Sequence, residues 1–280
     1  MTDRFAARRA AFRAMHQAGC FVLPNPWDAG SARYLAMAGF RALATTSSGA
    51  AWARGRADGA LSLDETLAGI AEIVEATDLP VNADFAHGFG ADADGVAAAV
   101  TRCVGTGVAA LSVEDATGDA AQPLFGIEDA LARVRAARRA IDAAGRDVIL
   151  VGRAECFLAG HPDPLAESVR RISAYAEAGA EVLYVPGVTQ PADIAAVVRA
   201  ASPLPVNLLV ARPIGLTLEE IAALGVRRVS LGGALAAVAW GAVKRAVEEV
   251  KAGRFDALGA RLPGAELDGV FRGDGPRTAA

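Results

Sequence analysis

Eight short apolar runs, each followed by a turn signal and then a helical pattern, constrain the fold of this chain more than any other feature. They lie at Phe21–Pro24, Ala42–Thr46, Val81–Phe85, Ala110–Glu114, Val148–Arg153, Val182–Val185, Val206–Val210 and Arg228–Leu231. The runs are continuously apolar rather than alternating, as strands buried on both faces must be. The segments between them open with helix-start signatures. Ser62-Leu-Asp-Glu65 and Thr217-Leu-Glu-Glu220 fit the capping box, and Asp163-Pro164 fits an N-cap followed by proline in the first turn. Pro-Val-Asn recurs at Pro80–Asn82 and Pro205–Asn207, consistent with repeated units.

Eight βα units with no Ser/Pro-rich linker predict an α/β protein, a (β/α)8 TIM barrel. A doubly wound open sheet is the competing architecture, but no GxGxxG follows the first run, so a dinucleotide site has no support. The length of 280 residues suits one such barrel. The expected layout is a single barrel domain over 1–261, opening with a helix over Thr2–Ala18, then a polar, Gly-rich tail over 262–280 that is disordered or packed on a neighbouring subunit. The segment Gly233–Val250 starts apolar nearly all round, in GALAAVAWGAV, and becomes amphipathic only later. A helix of that kind needs more burial than its own barrel gives, so it is expected to pack on another subunit.

Composition excludes several function classes. The net charge is −4 and the 28 basic residues are dispersed, so no nucleic-acid footprint is present. Cys20, Cys103 and Cys156 are odd in number and lack CxxC spacing, which argues against disulfides and structural zinc. No apolar run reaches about 18 residues without a charge. A reduced, soluble, cytoplasmic protein with no membrane partner is the expectation.

In a parallel barrel the carboxyl ends of the strands share one rim, and that rim is where chemistry sits. Glu114 and Arg153 end two of the eight runs, and Asp84 stands next to the end of a third. Two carboxylates and a guanidinium there suit a divalent cation holding an anionic substrate. Trp27 and Asp28 follow the first run and Asn207 lies in the seventh, with Arg212 just beyond it. Cys103, His16 and His161 fall on helical segments and read as structural.

The stretches NPWDAGSARYLAMAGFRALATTSSG, GRADG, VNADFAHGFG, LSVEDATGD and VGRAECFLAG occur in an order and spacing that resembles the isocitrate lyase/phosphoenolpyruvate mutase superfamily, in a divergent, phosphonomutase-like branch. The resemblance covers roughly the first 235 residues. It implies a (β/α)8 barrel, often with its last helix exchanged between subunits, assembled as a homodimer or homotetramer and acting on Mg2+-bound 2-oxo acids, with Mn2+ as the alternative ion. Asp84 and Glu114 match its metal carboxylates. Ser48 and Gly49 match the loop that holds the substrate carboxylate, and Asp58 an acid facing the reacting centre. Arg153 matches the arginine that meets charge developing on the substrate, with Glu155 orienting it or a metal-bound water. Trp27, Asp28 and Asn207 are placed near the substrate.

Two departures limit what carries over. Where the family's metal motif has a second acid, this chain has Ala86, followed by His87. After Glu114 the lyases carry a K-[KR]-C-G-H loop and the mutases a Lys and an Asn, whereas here the loop reads DATGDAAQPLFGIED. The reading is an enzyme, a Mg2+-dependent carbon–carbon lyase or decarboxylase acting on, or releasing, a small 2-oxo acid or dicarboxylate through a cation-stabilised enolate. A phosphonopyruvate-type P–C hydrolase or mutase is one alternative. A 2-oxo-acid-binding barrel with little catalysis is the other.

Overall fold

The structure, a computed structural model, describes residues 3–272. Its strands are β1 (Phe21–Leu23), β2 (Leu43–Ala44), β3 (Val81–Asp84), β4 (Ala110–Glu114), β5 (Ile149–Arg153), β6 (Val182–Tyr184), β7 (Val206–Leu209) and β8 (Arg228–Ser230). All lie within the expected runs. They form one parallel sheet in the order β1-β8-β7-β6-β5-β4-β3-β2. Ala44 N donates to Pro24 O at 3.0 Å across the remaining gap between β1 and β2, which closes the barrel. This is the (β/α)8 architecture that the repeated units predict.

The helices alternate with the strands: α1 (Ala6–Met15), α2 (Ala29–Met37), α3 (Ser47–Ala53), α4 (Leu63–Ala76), α5 (Ala93–Gly105), α6 (Ile127–Ala143), α7 (Pro164–Glu177), α8 (Pro191–Ala201), α9 (Leu218–Ala223), α10 (Ala234–Lys251) and α11 (Gly264–Arg272). Both expected capping boxes form, at Ser62 on α4 and Thr217 on α9, and Asp163 caps α7 ahead of Pro164. The N-terminal helix is shorter than the expected Thr2–Ala18. It closes the barrel floor, where Phe12 meets Phe21 edge-to-face with ring centroids 6.2 Å apart. The side chains that fill the barrel, among them Leu23, Ala44, Ala110, Ile149 and Val151, form one apolar cluster with Phe12. The larger apolar cluster lies between sheet and helices.

The segment after Leu262, expected to be disordered or packed on a neighbouring subunit, contains a further helix. Residues 264–272 form α11, with Leu267 half-buried and Val270 buried, and it packs on α2 of the same chain, where Gly30 faces the Phe271 ring. Leu267, Val270 and Phe271 are an i, i+3, i+4 apolar stripe, too short to stand out among glycines and charges. The rest of that tail, 273–280, lies outside the described residues.

Candidate active site

Arg153 organises the rim. β5 ends on it, and its ladder partners are Glu114 on β4 and Tyr184 on β6. Its Nη1 lies 2.9 Å from Glu114 Oε2 and 3.2 Å from Asp84 Oδ1, its Nε donates to Glu155, and its guanidinium carbon stands 5.1 Å from the Tyr184 ring centroid. Three carboxylates on one guanidinium explain its charge state. Burial alone would favour the neutral form, but Glu114 and Glu155 win and hold its pKa well above the ordinary value.

The acids respond oppositely. Burial pushes Glu114 up to about 8, with Arg153 opposing and the Glu155 and Asp84 charges adding to the rise. Burial also raises Glu155, again against Arg153. A carboxylate held this way takes up either a proton or a cation. Glu155 is fixed from below, since its N–H donates to Asp115 Oδ1 at 2.8 Å. Asp115 Oδ2 in turn accepts from Arg171 Nη1 at 2.9 Å and Tyr175 OH at 2.6 Å.

Asp84 ties this cluster to α3. Its Oδ2 accepts from Ser47 N at 2.9 Å, and its own N–H donates to Thr45 Oγ1 at 2.8 Å. The Ser48-Gly49 segment is the first turn of a helix rather than a loop, capped by Thr46. Gly49 N is directed at Thr46 Oγ1, and a Cβ on Gly49 would meet Thr46 Cγ2 at 2.7 Å and Trp27 Cβ at 2.9 Å. Close packing therefore demands Gly49. Among the described residues the Ser48 N–H engages no acceptor, as is usual in a helix's first turn.

Two cavities meet at Asp84. One, of about 160 Å3, runs from Ser48, Asp58 and Arg153 at the rim down to Asn207 and Arg228 inside the barrel. The other, of about 230 Å3, is lined by Trp27, Ala86, His87, Glu114 and Thr117. The site residues expected from sequence thus divide. Asp84, Glu114, Arg153, Ser48, Asp58, Trp27 and Asn207 line these cavities, Asp58 from an exposed loop, and Glu155 supports Arg153. Asp28 lines neither cavity, and its Oδ1 accepts from Ser31 N at 2.7 Å and caps α2. Arg212 is exposed at the surface. Sequence reasoning missed Asn25, Thr45, Tyr184, Arg228 and Ser230. Their one signal is a polar or aromatic residue within or just after one of the eight runs.

The donor set for a divalent cation at this rim is small. Among the described residues no group of three or more His, Cys, Asp or Glu side chains is arranged to hold a metal ion. Mg2+ is commonly bound through one or two carboxylates, with waters and substrate oxygens completing the shell. Asp84 and Glu114 would be such a pair, and burial, which raises the Glu114 pKa, marks a carboxylate short of positive charge.

A model of the phosphoenolpyruvate phosphomutase family matches residues 12–251. The chain belongs to that family, within the isocitrate lyase/phosphoenolpyruvate mutase superfamily. A solved structure from Burkholderia cenocepacia J2315, described as a lyase/mutase, is 44% identical with a TM-score of 0.92 over 96% of this chain and 97% of its own. A 2,3-dimethylmalate lyase is 27% identical with a TM-score of 0.84 over 98% and 96%. A phosphonopyruvate hydrolase, in complex with oxalate and Mg2+, is 28% identical with a TM-score of 0.82 over 98% and 96%. These relatives include a lyase and a hydrolase of the same superfamily, which is the superfamily that the sequence resembles. No helix among the described residues is long and apolar enough to cross a membrane.

Proposed function

We propose that this enzyme is a Mg2+-dependent lyase that breaks a carbon–carbon bond beside a 2-oxo or 2-hydroxy carboxylate, with a small 2-oxo acid as substrate or product. The carrying observation is Arg153, held at the barrel mouth between Asp84, Glu114 and Glu155. Cleavage of such a bond leaves an enolate, and a fixed guanidinium placed where that charge develops stabilises the transition state without reorganising. Asp84 and Glu114 would hold Mg2+, which supplies further positive charge against the substrate oxygens. The Ser48 amide and hydroxyl hold the substrate carboxylate in place, which removes orientational freedom before reaction. Asp58, on its exposed loop, closes the outer side of the same cavity.

The loop after β4 sharpens the reading. An antiparallel bridge, Ala116 to Leu124, pins it, and it brings Thr117 to the cavity but no Cys, His or Lys. The cysteine-dependent chemistry of isocitrate-type lyases has no counterpart, so decarboxylation or retro-aldol cleavage fits better. Likeness to a phosphonopyruvate hydrolase favours a second reading, hydrolysis or rearrangement of a P–C bond. Turnover of a panel of 2-oxo and 2-hydroxy acids, with Mg2+ and with EDTA, separates these. Pyruvate or glyoxylate released only with Mg2+ supports the lyase. Phosphate released from phosphonopyruvate supports the second reading. No turnover of any member leaves a 2-oxo-acid-binding barrel.

A further inference from the structure

Arg228 is a buried cation without a counter-ion. It is 2% exposed on β8, with its side chain inside the barrel. Its Nε donates to Asn207 Oδ1 at 2.9 Å, and its Nη1 faces His16 Nε2 at 3.4 Å. His16 is kept neutral, first by burial and then by Arg228 itself, which lower its pKa to about 3, and its Nδ1 lies 2.8 Å from Phe12 O. Among the described residues no acceptor engages Arg228 Nη2 and no carboxylate pairs with the guanidinium. The other buried arginines are satisfied. Arg9 pairs with Asp3, Arg171 with Asp115 and Glu167, and Arg133 donates to the carbonyls of His87, Gly90 and Ala91.

Isolating a guanidinium in this way is costly unless a negative group joins it. Arg228 lines the cavity that has Ser48, Asp84 and Arg153 at its rim. Register carries that rim inward, since Arg153, Tyr184, Asn207 and Arg228 are successive ladder partners. Strand tilt makes such a row descend into a barrel. A second unmet group lies in the same cavity. Asn82 gives its Nδ2 to Ala83 O at 2.9 Å, and its Oδ1 is buried with no donor. At about 160 Å3 the cavity has room for about five waters at ~30 Å3 each, or one small organic acid.

We propose that Arg228 forms an anion-binding floor to this cavity. The carboxylate at the far end of the substrate, away from the rim, pairs with Nη2. This floor selects dicarboxylic 2-oxo or 2-hydroxy acids over monocarboxylic acids of the same length. It rests on the reading of the rim as the place where the substrate's 2-oxo carboxylate binds. His16 holds Nη1 with a lone pair and adds no second charge.

Calorimetry with Mg2+ present tests the floor and the rim separately, using oxalate, malate and 2-hydroxybutyrate. Malate and 2-hydroxybutyrate share a four-carbon chain and differ in the distal carboxylate, and oxalate has no carbon between its two carboxylates. Wild-type protein is expected to bind malate about tenfold or more tighter than 2-hydroxybutyrate, the scale of one charge-assisted contact. Arg228→Met abolishes that preference and changes oxalate affinity by less than about threefold, whereas Arg228→Lys keeps part of the preference. A malate preference that survives Arg228→Met, or oxalate affinity that falls in step with malate, overturns the floor. Should Arg228→Met not fold, equal binding of the two four-carbon acids by the wild type overturns it as well. Oxalate binding without a malate preference removes the floor and keeps the rim. An Arg228-dependent malate preference without oxalate binding does the reverse.

Discussion

Glu114 Oε2 stands 2.9 Å from Arg153 Nη1, yet burial leaves the Glu114 pKa at about 8, far above an ordinary glutamate. The ion pair does not fully compensate the loss of water, because Asp84 and Glu155 draw on the same guanidinium. The cluster has three carboxylates and one arginine, so it carries excess negative charge in a poorly solvated place. A divalent cation bound there would remove that imbalance.

This fixes the sign of a pH effect. Glu114 binds its proton more tightly folded than unfolded, so over this group the metal-free protein loses stability as pH rises from about 4.5 to about 8. Mg2+ competes with the proton, so its affinity increases through the same window with release of up to about one proton. Calorimetry in buffers of different ionisation enthalpy reads that proton directly. Mg2+ affinity flat between pH 6 and 9 would remove Glu114 from the ligand set.

Arg153→Lys keeps the charge and loses the fork that engages Glu114, Asp84 and Glu155 together. The expected loss is on the order of 10²-fold in kcat with little change in melting temperature. Turnover at the wild-type rate by the Lys variant, once the substrate is known, would contradict the role given to Arg153.

Ala86 occupies the position of the missing family acid with φ of 45°, a conformation that costs a residue bearing a Cβ roughly 1–2 kcal/mol. Asp tolerates this region better than Ala. Ala86→Asp is therefore expected to tighten Mg2+ binding by about tenfold without destabilising the fold, and Ala86→Gly to stabilise the protein by up to ~1 kcal/mol with no gain in Mg2+ affinity. Titration and thermal melts of the two variants separate the ligand effect from the backbone effect.

Gly49→Ala tests whether packing or anion contact requires the glycine. The added Cβ meets Thr46 Cγ2 at 2.7 Å and Trp27 Cβ at 2.9 Å. A loss of about 1–3 kcal/mol of stability is expected from overpacking. A variant as stable as the wild type would overturn the packing argument.

The barrel was legible because buried parallel strands impose continuous apolar runs and helix starts impose capping residues, both readable locally. All eight strands fall inside the expected runs, and Ser62 and Thr217 cap as their spacing implies. The rim residues Asp84, Glu114 and Arg153 were legible for a related reason, since a charge ending an apolar run has few places to go. Asp28 illustrates the limit. Its position after a strand fits a substrate contact and a helix cap equally, and only Ser31 three residues on decides for the cap. Arg228 and Tyr184 were hidden because strand shear, invisible in sequence, determines that their side chains share a cavity with the rim.

The last prediction concerns α10 and assembly. Only Ala236 of this helix is buried, while Val238 is 67%, Trp240 53%, Val243 50% and Val247 50% exposed. These side chains, with Val250, line a helix that stands away from its own barrel. An apolar surface of this extent is rarely left in water. A second copy of the chain is the fitting cover, because Trp240 and Ala237 border a shallow depression formed with Trp52, Gly55 and Arg56 beside the site loop. A closed two-fold pairing would bury both copies of the patch at once. Sedimentation at micromolar concentration is expected to give a dimer or tetramer of the 28.6 kDa chain, and Val243→Glu with Trp240→Glu to shift it to the monomer. A wild-type particle of monomer mass would overturn the pairing of α10 with a second copy.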